Sequence, residues 1–394
     1  MLPPAMTCSN RVPRGVAVNA LTRALAALRD RGVAIADLTT SNPTRAELPY
    51  PDDLLGPLAE PAGLRYDPDP RGLLSAREAI ASDMARRGAQ VAPDRVVLAA
   101  STSEAYGWLF KLLCDPGDTV LVPRPSYPLF EHLARAEGVR VQFYDVRFHG
   151  RWDIDLASVD AAPPGTKALV VVSPNNPTGS YLGAGEADAL FAVCERRGWA
   201  LIVDEVFADF PLEAESPVTD WATRAPVLTF SLGGASKSLG LPQVKLGWTV
   251  VGGPEPACRD ALGGLEYLAD TYLSVSTPVQ VAAPALLSRG AQVRRAIHDR
   301  VRQNLSHARR LAAAYPACTV LPAEGGWTGV VRVPAVRSEE SLVLELLEEE
   351  RVLVHPGYFF DFDHEAYLIV SLLPPPMVFQ DGFERMLRFA CRAS

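Results

Sequence analysis

The 394-residue chain has no apolar run approaching the roughly 20 residues that a membrane-crossing helix requires, and its first residues lack the charged and apolar regions of a secretory leader. It has no excess of basic charge: 38 Lys and Arg stand against 46 Asp and Glu, a net charge of −8 that argues against general binding to nucleic acid or anionic membrane. Cysteine is scarce. The six (Cys8, Cys114, Cys194, Cys258, Cys318, Cys391) form no Cys-x-x-Cys pair, which suits packed, reduced thiols in the cytoplasm better than disulfides or zinc. The six histidines show no metal-ligand spacing, so metal and Cys/His nucleophile chemistry are both poorly supported. Internal repeats and low-complexity linkers are missing too, and the 34 prolines are spread through loops and strand ends.

What remains is a chain long enough for one large and one smaller domain. From about Val96 to Val251, short β-rich runs alternate with helical patterns. The runs are 96–99, 119–122, 139–143, 168–172, 201–203, 227–230 and 246–251, with helices expected at 103–113, 129–136 and 184–197. Such alternation predicts βα units in an α/β, three-layer αβα domain with a mainly parallel sheet. Beyond about residue 290 the pattern predicts a smaller α+β domain: helices at 292–314, 339–350 and 381–392, strands near 330–333 and 368–372, and a rigid turn at Pro374-Pro-Pro-Met377.

The residues that carry chemistry lie between Ser173 and Lys245. Asp204 ends the apolar run Ala200-Leu-Ile-Val, which puts a carboxylate at the carboxyl end of a buried strand, where open α/β sheets bind ligands. A carboxylate there is costly unless paired, and a pyridinium N–H is a fitting partner. Lys237 follows Phe230-Ser-Leu-Gly-Gly-Ala-Ser236, a strand running into small residues that let a ligand approach the backbone. In such a site a lysine amine has a depressed pKa and serves first as nucleophile, then as base. Asn176, in Ser173-Pro-Asn-Asn-Pro-Thr-Gly179, offers a donor to a ring hydroxyl. Lysine for an aldehyde, carboxylate for a ring nitrogen and donor for a ring hydroxyl are the requirements of pyridoxal 5'-phosphate (PLP).

The order Asn-Pro-Thr-Gly, Asp-Glu-Val-Phe, Ser-Lys resembles the class I/II aminotransferases of the aspartate aminotransferase superfamily, over nearly the whole chain. That resemblance implies a PLP-dependent transferase-like fold, a large domain at 50–290 and a small domain from 1–49 with 291–394. It also implies a homodimer with shared active sites, and transfer of an amino group from an amino acid to a 2-oxo acid through a Lys237 Schiff base. Thr102 and Ser103 match its phosphate cup, which the N-terminus of a helix would complete. Ser236 is a further candidate cofactor contact, Tyr127 matches an aromatic ring stacked on the cofactor, and Tyr66 a tyrosine reaching the neighbouring subunit's phosphate.

Departures accompany the matches. Lys245 and Gly234 stand where an Arg and a Ser usually bind phosphate, so looser anchoring is expected. Phe207 replaces a Tyr that donates to the cofactor hydroxyl, so a raised Schiff-base pKa is expected. In Tyr367-Leu-Ile-Val-Ser371, Ile369 occupies the place of the Arg that holds the substrate carboxylate; Arg45 and Arg332 are the alternative cations. The chain is similar to a bacterial branch that shares Ser41-Asn42-Pro-Thr44, Asp204–Phe207, Leu241–Lys245 and His355–Phe359, which makes Ser41, Asn42, Arg45 and Tyr358 candidate substrate contacts. Two other functions stay open at this level: a PLP-dependent lyase or other enzyme acting at Cα or Cβ, and a noncatalytic PLP-binding sensor, for which the chain carries no DNA-binding module ahead of the enzyme-like part.

Overall fold

The computed structural model describes residues 9–392 apart from 14, 16 and 214–216; Cys8 and the first residues, read above for a leader, lie outside the described residues. After a helix at Ala20–Asp30 and a two-residue strand β1 (Ala36–Asp37), the helix Leu74–Ala85 leads into an eight-stranded sheet. Its strands are β2 (Val96–Ala99), β3 (Thr119–Arg124), β4 (Arg140–Phe148), β5 (Trp152–Ile154), β6 (Thr166–Val172), β7 (Ala200–Asp204), β8 (Thr229–Gly234) and β9 (Gly247–Gly252). They are ordered β2-β9-β8-β7-β6-β3-β4-β5.

The middle of the sheet, from β8 to β4, is parallel. Its strands are apolar on both faces because both are covered. Val170, Val172 and Ile202 pack with the helices Thr102–Leu113 and Glu255–Tyr272. Leu169, Val171, Leu201 and Val203 pack with the helix Ala184–Arg197 on the other side. This is the three-layer αβα arrangement. The strand at 247–252, read from sequence among the βα units, runs antiparallel to both its neighbours. The segment between β8 and β9 holds only the one-turn helix Ala235–Ser238 and a single turn at Pro242–Val244, with no crossover helix to return the chain parallel.

The remaining strands are β10 (Thr319–Val320), β11 (Thr328–Arg332), β12 (Val352–Leu353), β13 (His355–Pro356) and β14 (Tyr367–Ser371). An antiparallel sheet in the order β10-β11-β14-β13 is backed by the helices Ala291–Ala312, Glu339–Glu350 and Pro376–Cys391, and β1 pairs with β12. The last helix begins five residues before its expected start. The proline run, read as a rigid turn, instead launches it: Pro375 is the cap and Pro376 the first helical residue, where a missing N–H costs nothing.

Candidate active site

Register aligns the carboxyl ends of three strands: Val172 pairs with Asp204, and Asp204 with Leu232. The carboxyl ends of β6, β7 and β8 therefore open at one edge, with Asn176 in the loop after β6, Asp204 as the last residue of β7 and Lys237 just after β8.

Lys237 lies in the one-turn helix Ala235–Ser238 that starts directly after β8. A Cβ on Gly233 would fall 2.4 Å from the Trp248 indole nitrogen, and one on Gly234 3.3 Å from the Leu246 carbonyl, so this close turn requires the small residues. The turn is tied from outside. Arg294 Nε donates to the Ser238 carbonyl at 3.0 Å while its Nη2 grips both oxygens of Asp83, and the Tyr50 hydroxyl donates to the Gly240 carbonyl at 2.7 Å. Lys237 Nζ sits 5.5 Å from the Trp327 ring centre and 5.8 Å from that of Phe207. These two rings meet edge to face at 5.2 Å. Burial lowers the lysine pKa, with the charge of Asp204 opposing, which favours the nucleophilic neutral amine.

Asp204 is buried, and burial pushes its carboxyl up to about 6 against three opposing influences: the Val206 N–H at 3.1 Å, the Tyr106 hydroxyl at 3.0 Å and the charge of Lys237. Asn175 locks the neighbouring loops together. Its amide nitrogen donates to the Pro125 carbonyl at 3.0 Å and to Thr178 at 2.9 Å, and its oxygen accepts from Ser126 at 3.1 Å. The following residues of each loop are Asn176 and Tyr127. The Asn176 amide oxygen is buried without a hydrogen-bond partner among the described residues, and Tyr127 is 51% exposed. An orphaned polar atom at the same sheet edge as a half-buried amine and a buried carboxylate leaves hydrogen-bonding capacity there for a polar ring to fill.

Ser101 caps the helix Thr102–Leu113 by accepting from the Glu104 N–H at 3.2 Å, leaving Thr102 and Ser103 in its first turn. A Cβ on Gly247 would lie 3.1 Å from the Thr102 nitrogen, and one on Gly234 3.8 Å from the Thr102 methyl. The helix N-terminus thus stands next to the Lys237 turn, with half-buried Ser236 on that turn. Lys245 is exposed and takes a left-handed conformation, φ 58°.

The other expected residues lie at the margins. The hydroxyl of Ser371 donates to the Thr40 carbonyl at 2.6 Å, which places the exposed Ser41–Arg45 segment at the end of β14. Asn42 uses its side-chain oxygen to accept from the Thr44 N–H and hydroxyl. Tyr358 belongs to a turn whose Phe360 carbonyl accepts from the Ser126 N–H, next to Tyr127. Tyr66 is 73% exposed, in a groove with Trp108 and Gln280. Arg332 is ruled out as a carboxylate ligand. It ends β11 opposite Tyr367, about 13 Å along the strand from Thr328, whose hydroxyl reaches the Pro177 carbonyl beside Asn176.

Ile369 is 1% exposed and packs with Leu321, Val330 and Phe360. Ile369→Arg therefore buries an unpaired charge and should destabilise the fold by about 3 kcal/mol. A urea midpoint equal to that of the wild type would contradict this packing.

Sequence reasoning passed over Tyr106, Trp327 and Asn175. Tyr106 carried a signal: a tyrosine inside the apolar stripe Ala105, Leu109, Phe110 needs a partner for its hydroxyl. Among the described residues no helix is long and apolar enough to cross a membrane, and no group of three or more His, Cys, Asp or Glu could hold a metal ion.

The family model for aminotransferase class I and II matches residues 58–375. The chain is 26% identical over 375 residues to a glutamate–pyruvate aminotransferase of Haemophilus influenzae, covering 92% of each. It is 31% identical over 229 residues to mouse tyrosine aminotransferase, covering 56% of this chain and 49% of that one. Among solved structures, an aminotransferase from Escherichia coli superposes with a TM-score of 0.86 at 24% identity over 98% of both chains.

Proposed function

The chain belongs to the class I and II aminotransferases, which depend on PLP and move an amino group from an amino acid to a 2-oxo acid, and from that premise we propose that Lys237, Asp204 and Asn176 are the residues that hold the cofactor. The observation that carries the assignment is a half-buried amine and a buried carboxylate at the carboxyl edge of one sheet, with the charge of each felt by the other.

The bound cofactor supplies an electron sink for the carbanion left when the substrate Cα–H bond breaks. Lys237 Nζ would hold the cofactor aldehyde and would serve as the base that takes the proton from the substrate Cα. Asp204 holds a proton on the ring nitrogen. Asn176 donates to the ring hydroxyl alone, because Phe207 has no donor to add. Thr102, Ser103, Ser236 and Lys245 receive the phosphate at the helix N-terminus. Tyr127 covers one ring face, and Trp327 with Phe207 excludes water around the lysine. Ser41, Asn42, Arg45 and Tyr358 meet the substrate. In support, the 41–50 segment runs from the end of β14 to the Lys237 turn, tied at Thr40 and at Tyr50.

The proposed assembly is a homodimer. The exposed Leu64, Tyr66, Tyr267 and Tyr272 give apolar surface for a second copy to cover, and Tyr66 would then reach the partner's phosphate. The proposed domains are 50–290 and 1–49 with 291–394, supported by the pairing of β1 with β12. Cytoplasm is the proposed location, in keeping with five described cysteines that are all free.

The test is a visible spectrum of the PLP-loaded protein, titrated with glutamate, alanine and tyrosine in the absence of any 2-oxo acid. Those donors are chosen from the activities for which the relatives are named. Loss of the yellow band with one equivalent of 2-oxo acid formed is the expected result. Product accumulating catalytically while the band persists would mark a lyase or oxidase instead.

A further inference from the structure

Asp204 does not stand free in the site. Strand β7 alternates, so Ile202 and Asp204 face the helix Thr102–Leu113 while Leu201 and Val203 face the opposite layer. On that helix Tyr106 is fully buried, its ring against Phe130 at 5.5 Å and Phe110 at 5.9 Å. Its hydroxyl donates to Asp204 Oδ2 at 3.0 Å, and Oδ1 accepts from the Val206 N–H at 3.1 Å. Burial, and then the Asp204 charge, hold this phenol well above its ordinary range, so it stays protonated and acts as a donor. The aromatic packing leaves its ring no room to swing away, so the carboxylate has one oxygen fixed by a phenol and the other by the backbone.

We propose that Tyr106 is a positioning residue that keeps the shared proton on the cofactor ring nitrogen by stabilising Asp204 as the carboxylate. The inference rests on the assignment of Asp204 as partner of that nitrogen. A donor to a carboxylate favours its charged form over its protonated form. With the O–H in place, Asp204 is the weaker base and the nitrogen retains the proton. Without it, the buried carboxylate becomes more basic and draws the proton off the ring, and the electron sink weakens. Tyr106 thereby acts on the reaction through Asp204 without touching substrate.

The experiment uses protein loaded with PLP labelled with 15N in the ring, whose nitrogen resonance distinguishes protonated from unprotonated pyridine, recorded across pH. At neutral pH Tyr106→Phe should move the nitrogen resonance toward that of unprotonated pyridine, a change of about tenfold in the ratio of proton held on the nitrogen to proton held on Asp204. It should also lower kcat about tenfold while KM for the amino donor stays within about twofold. Tyr144→Phe is the control for loss of a buried phenol hydrogen bond: that hydroxyl donates to the Val170 carbonyl at 2.9 Å, away from Asp204, and its removal should leave the nitrogen resonance at neutral pH in place. An unchanged resonance in Tyr106→Phe, or an equal displacement in Tyr144→Phe, overturns the proposal.

Asp204→Asn separates the two levels of the inference. If it displaces the nitrogen signal and Tyr106→Phe does not, Tyr106 has no such role and the Asp204 assignment stands; if neither displaces it, both are wrong. Should Tyr106→Phe melt below the assay temperature, 3,5-difluorotyrosine at position 106 keeps the ring and strengthens the donor. The nitrogen resonance at neutral pH should then lie at least as far toward the protonated limit as in the wild type, and a move toward the unprotonated one overturns the proposal.

Discussion

Lys237→Ala should fold, bind the cofactor without a covalent bond and transaminate on the order of 10⁴-fold more slowly than the wild type. The loss is large because one amine serves as both anchor and base, and Lys245, assigned to the phosphate end of the cofactor, is not positioned to replace it at the aldehyde. Folding should be unharmed, since burial disfavours the lysine charge in the folded protein and alanine carries no such cost. The check is borohydride fixation followed by peptide mass. The wild type should carry the cofactor on the peptide containing Lys237 and the variant nowhere, and a covalent adduct in the variant would refute the assignment. Added methylamine should restore part of the rate by supplying the missing base.

Asp204→Asn should lose on the order of 10³-fold in activity and yet make the cofactor-free protein more stable at neutral pH. The sign follows from the raised carboxyl. Its folded pKa of about 6 lies above the ordinary 3.8, so the folded state holds the proton more tightly and ionisation costs stability. The cost is absent below about pH 4, grows as pH rises to 6, and is complete above it, at about 3 kcal/mol. Asparagine keeps an oxygen to accept from Tyr106 and carries no charge. The apoprotein variant should therefore melt several degrees higher than the wild type at pH 8 and at the same temperature at pH 4. A lower melting temperature at pH 8 would show that Asp204 is stabilised within the empty fold rather than held ready for a cation. The trade of stability for function is what a preorganised charge entails.

How much was legible depends on whether the information is local. The runs at 168–172 and 200–204 read as strands because they are apolar on both faces, and the structure covers both. Helices at Ala184–Arg197 and Glu339–Glu350 appear with the bounds expected, the first closed by left-handed Gly198 and the second opened by a Ser338 cap. The direction of β9 was not legible, because an apolar run reads the same in either direction and only its connection tells them apart. Nor was the helix at Pro376, since prolines mark a turn and a first helical turn alike.

The sequence alone determined the αβα class, the family resemblance and the residue types available for PLP, because apolar periodicity and a few fixed spacings survive in one dimension. It also showed that Ile369 is no carboxylate ligand, by side-chain chemistry alone. Only the tertiary structure decided that Ile369 lies in closed packing, that Arg332 stands at the end of its strand away from Thr328, and that Asn175 locks the loops bearing Asn176 and Tyr127. It alone set the phenol of Tyr106 against a carboxylate 98 positions away. A proton affinity depends on burial and on donors within hydrogen-bond reach, and for Asp204 those come from a helix and a backbone amide that no local pattern brings together.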